Sequence, residues 1–311
     1  MNLFLILFVQ IGVSIVACRA TDNVFNMEGC GPNHYGEILS RPTIGRLKEF
    51  PWMARLGYRN PGEDSVEYLF QGSLIHPRYV LTTVFAAGYR RNTLDVVRLG
   101  DYHTETDEDC QEVNDDELCA PPPQDIAVQQ IIRNPSYNKP RLANDLALLK
   151  LVSPVNVTTE FVRPICIPTD RDIPLNEFAA LFISAWCGSV KSGISVIPMQ
   201  YRMQLISSSI CAEKLAPHVH IDLDRSQFCA VVDLDKQQKA KIKDLNLRGS
   251  TGAPLQMVGP DGRFYLMGMT SVGVRDAPLG MPYVFVHIPE MVEWLQQTVA
   301  GEVQREQYKL R

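Results

Sequence analysis

This sequence predicts an all-β fold of barrel or sandwich type. Three observations carry that expectation. Short aliphatic or β-branched runs recur along the chain, and turn residues separate them at regular intervals. The chain's 311 residues suffice for one large domain of two lobes with a substantial core. In the first half the runs are Ser73–Ile75, Tyr79–Thr82, Val96–Leu99, Ile126–Ile132 and Leu146–Leu151. In the second half they are Leu181–Trp186, Gln204–Ile206, Phe264–Met269 and Tyr283–Val286. Pro289 then opens a helix, since proline is tolerated in a first turn whose N–H needs no partner. Met291, Val292, Leu295 and Val299 fall on one face of that helix, a spacing that would clamp it to a lobe. Residues 301–311 read as a polar, solvated tail.

A net charge of −5 with 45% hydrophobic residues gives no indication of nucleic acid as a partner. The almost uncharged run from Met1 to Ala17 ends in small residues, so residues 1–20 read as a secretory signal peptide. Cleavage falls after Ala17 or Ala20, and the choice decides whether Cys18 is retained. The run is short for a membrane span, and no later stretch is long and apolar enough to be one. Secretion with no membrane partner is therefore expected. In an oxidising compartment Cys30, Cys110, Cys119, Cys166, Cys187, Cys211 and Cys229 default to disulfides. Asn156-Val157-Thr158 is a glycosylation sequon just after the polar turn at Ser153-Pro154. Residues 21–46 are polar and rich in Gly, Pro and Asn, which reads as a tethered leader preceding a domain over 47–300.

Leu245–Leu255 is the stretch around which the rest is organised. Gly249 and Gly252 flank Ser250 and Thr251. Glycines let backbone amides approach a reacting atom, and a hydroxyl between them is where a nucleophile would sit. A bland loop has the same composition. Gly249-Ser250-Thr251-Gly252-Ala253-Pro254-Leu255 resembles the nucleophile motif Gly-Asp-Ser-Gly-Gly-Pro-Leu of the trypsin/chymotrypsin-like serine proteases. Glu49–Ala54, Gly72–Ile75, Val97–Gly100, Asn144–Leu151 and Arg163–Pro168 resemble further blocks of that family. The segment from Asp109-Cys110 to Cys119–Ile126 is similar to its arthropod clip-type branch, although the leader lacks the cysteines to build a clip domain. The resemblance implies two antiparallel six-stranded β-barrels with a C-terminal helix.

It also implies a disabled active site. The family's histidine motif Leu-Thr-Ala-Ala-His-Cys reads Leu81-Thr82-Thr83-Val84-Phe85-Ala86, which puts Phe85 at the position of the base. Thr251 stands at the nucleophile and Asp145 at the aspartate, where it is left to bond backbone amides or the hydroxyl of Ser271. His34 lies in the leader, and His76, His103, His218, His220 and His287 fall in other blocks. The aspartate that receives a newly freed N-terminus in this family corresponds to Ser250, and Ser40–Arg46 lacks the terminus motif. An oxyanion hole built from the Gly249 and Thr251 amides is accordingly not expected to be preformed. The pocket floor corresponds to Leu245 and its walls to Gly273 and Tyr283, with tyrosine in place of a glycine filling the slot. Phe70 with Ala86, and Leu247 with Asp276, replace two bonded cysteine pairs together. The remaining family pairings imply Cys30–Cys166, Cys110–Cys119 and Cys211–Cys229. Cys187 is left over, to pair with Cys18, to pair between chains or to stay a buried thiol.

Two charged segments complete the reading. The acidic stretch 105–117 is either a solvated face or a calcium loop, as the matching loop is in some family members. Lys236, Lys239, Lys241 and Lys243 form a basic segment that is either solvated or docks an acidic partner. The resemblance implies a non-catalytic serine protease homologue acting as cofactor, decoy or scaffold on proteases or zymogens of an extracellular cascade of the innate-immunity or melanisation kind. The alternatives are a residual peptidase using Thr251 and an adhesive or structural protein built on the barrels.

Overall fold

The computed structural model describes residues 24–309 except 26, 37–42, 61, 63–64, 90–92, 114–115, 170–172, 174, 177–178, 190–192, 237, 239–246 and 276–277. In chain order the first half of the chain contributes β1 (Thr43–Ile44), β2 (Met53–Arg59), β3 (Val66–His76), β4 (Tyr79–Thr82), α1 (Val84–Ala87), β5 (Thr93–Leu99), β6 (Cys110–Val113), β7 (Asp116–Cys119), β8 (Gln124–Arg133) and β9 (Ala147–Leu151). The second contributes β10 (Leu181–Ala185), β11 (Gly188–Ser189), β12 (Gly193–Ile194), β13 (Met199–Ile206), α2 (Ser208–Leu215), β14 (Gln227–Val232), β15 (Pro254–Val258), β16 (Phe264–Val272), β17 (Tyr283–His287) and α3 (Ile288–Lys309).

Strands β2-β3-β4-β9-β8-β5 close one antiparallel barrel. Strands β13-β10-β15-β16-β17-β14 close the other through the β13–β14 pairing, and β1 adds to the β13 edge. The fold is therefore two closed six-stranded antiparallel barrels with a C-terminal helix. Closure explains the sequence pattern. All five residues of β9 are buried, as are all five of β10, because a strand covered on both sides reads as a continuous apolar run. β2 and β14 alternate less clearly and are not conspicuous in the sequence.

The leader does more than tether. Phe25 is fully buried in the first barrel's core. Gly31 N donates to Pro164 O, Phe264 N donates to Gly31 O, and Cys30–Cys166 fastens the same point covalently. The other disulfides are Cys110–Cys119 across the β6–β7 hairpin and Cys211–Cys229 between α2 and β14.

The expectation of a polar tail after Gly301 needs correction. α3 continues through Gly301 to Lys309, and Glu302 is buried. Its carboxylate meets Lys150 Nζ at 2.8 Å and Arg305 at 2.8 Å. Lys150 is a charged side chain in the otherwise apolar β9, so the helix is held on by a buried ion pair that local composition does not reveal. Met291, Val292, Leu295 and Val299 are buried on its inner face as their spacing predicts. Among the described residues no helix is long and apolar enough to cross a membrane.

Candidate functional site

A cleft of about 930 Å³ opens where the two barrels face each other, lined among others by Phe85, Asp145, Thr251, Ser271, Gly273 and Tyr283. They arrive from α1, β16, β17 and the segments between strands. Thr83 caps α1 by accepting from Ala86 N through its hydroxyl at 3.0 Å, and the short helix then turns Phe85 outward, 49% exposed. Asp145 lies just before β9 and is buried. Its Oδ1 accepts from Phe85 N at 3.0 Å and its Oδ2 accepts from Ser271 Oγ at 2.7 Å. Burial pushes its pKa up, against a smaller pull downward from the Ser271 hydroxyl and the Phe85 and Val84 amides. The carboxylate is thus spent on backbone and hydroxyl donors.

Around Phe85 the rings of Phe70 and Tyr89 stand edge-on at 5.8 Å each, and Phe70 meets Tyr89 at 4.7 Å and Tyr58 at 5.8 Å. Tyr58 Oη donates to Ala86 O at 2.8 Å. This aromatic cluster and the Tyr58–Ala86 hydrogen bond occupy the ground between Phe70 and Ala86.

The Thr251 loop is held by its backbone. Gly252 has φ +81°, and a Cβ there would fall 2.0 Å from Gln71 O, so only glycine fits against β3. Gln71 N donates to Thr251 O, and the Gln71 side chain donates to Gly249 O at 2.7 Å and to Trp186 O at 3.1 Å. Arg248 O accepts from Gly188 N at 3.2 Å. Ile194 on the β11–β12 hairpin lies over Gly249, at 3.2 Å from where a Cβ would be. Gln71 and Ile194 were not found by sequence reasoning. A lone glutamine in a strand reads as a solvent-facing residue, and nothing local marks Ile194. His218, after α2, is the one histidine among the described lining residues, and it is exposed.

The trypsin family profile matches residues 45–295. The chain belongs to the trypsin family. It is 30% identical over 88% of its length to "Phenoloxidase-activating enzyme 1" of Spodoptera litura, covering 70% of that protein. It is 32% identical over 82% of its length to "Spaetzle-processing enzyme" of Drosophila melanogaster, covering 64% of it. Among solved structures it is similar to the Drosophila Grass clip serine protease of the Toll pathway, with a TM-score of 0.71 and 26% identity over 89% of this chain and 77% of that one. The chain spans 61% of another relative, "CLIP domain-containing serine protease B9" of Anopheles gambiae.

Within this trypsin-family frame, the ground beside Gly273 is occupied by a ring. Tyr283 is buried, its hydroxyl accepts from Leu247 N at 2.9 Å, and a Cβ on Gly273 would meet that ring at 2.8 Å. Burial pushes its phenol up to about 12, so the hydroxyl stays protonated. Leu245 lies outside the described residues, as do Asp276, Lys239, Lys241 and Lys243. Cys187 is buried and unpaired.

The acidic loop offers no carboxylate cage among the described residues. Asp109 accepts from Tyr102 N at 2.8 Å and Thr106 Oγ1 at 2.9 Å, and Asp101 is paired with Arg55. Among the described residues the one cluster of potential metal ligands groups Glu108 with Cys110 and Cys119, whose sulfurs are joined to each other. The sequon residue Asn156 is exposed, with Oδ1 accepting from Thr158 Oγ1 at 2.7 Å.

Proposed function

We propose that the chain is a secreted, non-catalytic trypsin-family protein that regulates an extracellular proteolytic cascade by binding its proteases or zymogens. The observation that carries this reading is Phe85 on Asp145. In a serine protease the carboxylate orients an imidazole that takes the nucleophile's proton, whereas a phenyl ring can neither accept nor release one. Loss of a triad member costs about four to six orders of magnitude in rate. Thr251 would have to react unassisted, beside a slot filled by Tyr283 and two residues from Gly249, which Ile194 covers. The names of the relatives, an activator of phenoloxidase, a Spaetzle-processing enzyme and a Toll-pathway protease, support a cascade of that general kind.

The test is labelling of the purified mature protein with a fluorophosphonate probe, together with hydrolysis of a peptide library. Neither reaction is expected. The double variant Phe85→His/Thr251→Ser is expected to stay inert, because Tyr283 still blocks the pocket. Labelling of the parent protein that Thr251→Ala abolishes would overturn the reading.

A further inference from the structure

We propose that the cleft between the barrels is a docking groove for an extended peptide segment that is acidic and carries apolar side chains. The inference rests on the non-catalytic reading, and it assigns to the former substrate face a ligand chemistry of its own.

Charge supplies the first argument. Arg141, Arg248 and Arg275 line the cleft from three separate segments, and all three are exposed. None forms a salt bridge with another described residue. The one carboxylate among the described lining residues is Asp145, which is buried and engaged by Phe85 N and Ser271 Oγ. The chain as a whole carries −5, so this local excess of cations runs against its overall charge. Guanidinium groups present planar donor pairs that match carboxylates, and a groove of one sign concentrates ligands of the other.

Apolar exposure supplies the second. Five large hydrophobic residues are exposed among those described, and two of them, Phe85 at 49% and Ile194 at 53%, face this cleft. Phe85 is propped by Phe70 and Tyr89, so it is a fixed platform of the kind that anchors interfaces. Tyr283 closes the deep slot, which leaves a ligand to be recognised along the surface of the groove instead of through one inserted side chain. A sulfated polysaccharide would satisfy the arginines but leave Phe85 and Ile194 without a partner. An acidic peptide with leucine or phenylalanine between its carboxylates uses both sets.

The experiment uses the full secreted chain and a fluorescein-labelled hexapeptide, Glu-Leu-Glu-Phe-Glu-Leu, read by fluorescence anisotropy. Binding is expected at low salt. It should weaken about tenfold or more on replacing Glu with Gln in the peptide, and also on raising salt, because these contacts are screened. The triple variant Arg141→Glu/Arg248→Glu/Arg275→Glu should lose the acidic peptide and gain the corresponding lysine peptide, an exchange that a merely unstable variant would not show. Phe85→Ser with Ile194→Ser should weaken the peptide while leaving a heparin oligosaccharide unaffected. Equal binding of the Glu and Gln peptides, or a heparin oligosaccharide binding where the acidic peptide does not, would overturn the proposal. Mass spectrometry of the recovered peptide separates the two readings. A cleaved peptide defeats the non-catalytic reading, whereas an intact and unbound peptide defeats this one.

Discussion

Asp145 is a buried carboxylate whose described partners, Phe85 N and Ser271 Oγ, are both neutral. A buried carboxylate with neutral donors and no cation is destabilising in its charged form, and its pKa is raised for that reason. The linkage follows. An acid whose native pKa lies above its unfolded value of 3.8 contributes stability that is fully present below that value and lost as pH rises through the native one. Asp145→Asn keeps an acceptor for Phe85 N and can donate to Ser271 Oγ. Chemical denaturation at pH 7 should therefore find it as stable as the parent or up to about 1 kcal/mol more stable, with the pH slope reduced, while Asp145→Ala should lose about 1–3 kcal/mol. A carboxylate still serving an imidazole would resist that exchange. Phe85 and Thr251 were legible from the sequence because the motifs around them keep their spacing. Gln71 was not, since its partners Gly249 and Trp186 lie 178 and 115 residues away and a strand's local pattern carries no trace of them.

At the scale of elements, the strands announced themselves and the end of the last helix did not. Gly301 costs roughly 1 kcal/mol in a helix interior, which is why the chain beyond it reads as a tail. The ion pair between Glu302 and Lys150 outweighs that local preference by holding the next turn to β9. Removing one partner strands a buried charge, so Glu302→Ala should cost about 3–5 kcal/mol and lower Tm by roughly 10 °C in calorimetry. The paired replacement Lys150→Met/Glu302→Leu should recover most of that loss, since well-packed apolar side chains commonly substitute for a buried pair. A smaller loss for Glu302→Ala than for the paired replacement would show that the helix is held by its apolar face alone.

Over the whole molecule, the barrels were legible because closed sheets repeat one rule at every strand. The placement of the leader was not, because Phe25 enters a core assembled from residues far along the chain. That placement sets the outcome of proteolysis near the barrel entrance. Arg46 lies 3.6 Å over the Tyr35 ring, and its backbone N–H donates to Glu49 at 2.7 Å, so trypsin should cut there slowly. Cut chains should run as one band without reductant and as two with it, because Cys30–Cys166 spans the site, and no peptidase activity should appear. Separation without reductant would exclude the bridge. The unpaired Cys187 has a different consequence. Its thiol is shut in the second barrel's core and burial pushes its pKa up to about 12, so it is neither exposed nor ionised while the barrel stays closed. Every reaction of that sulfur with an external disulfide then counts an opening of the barrel, and the chain carries its own stopwatch for unfolding.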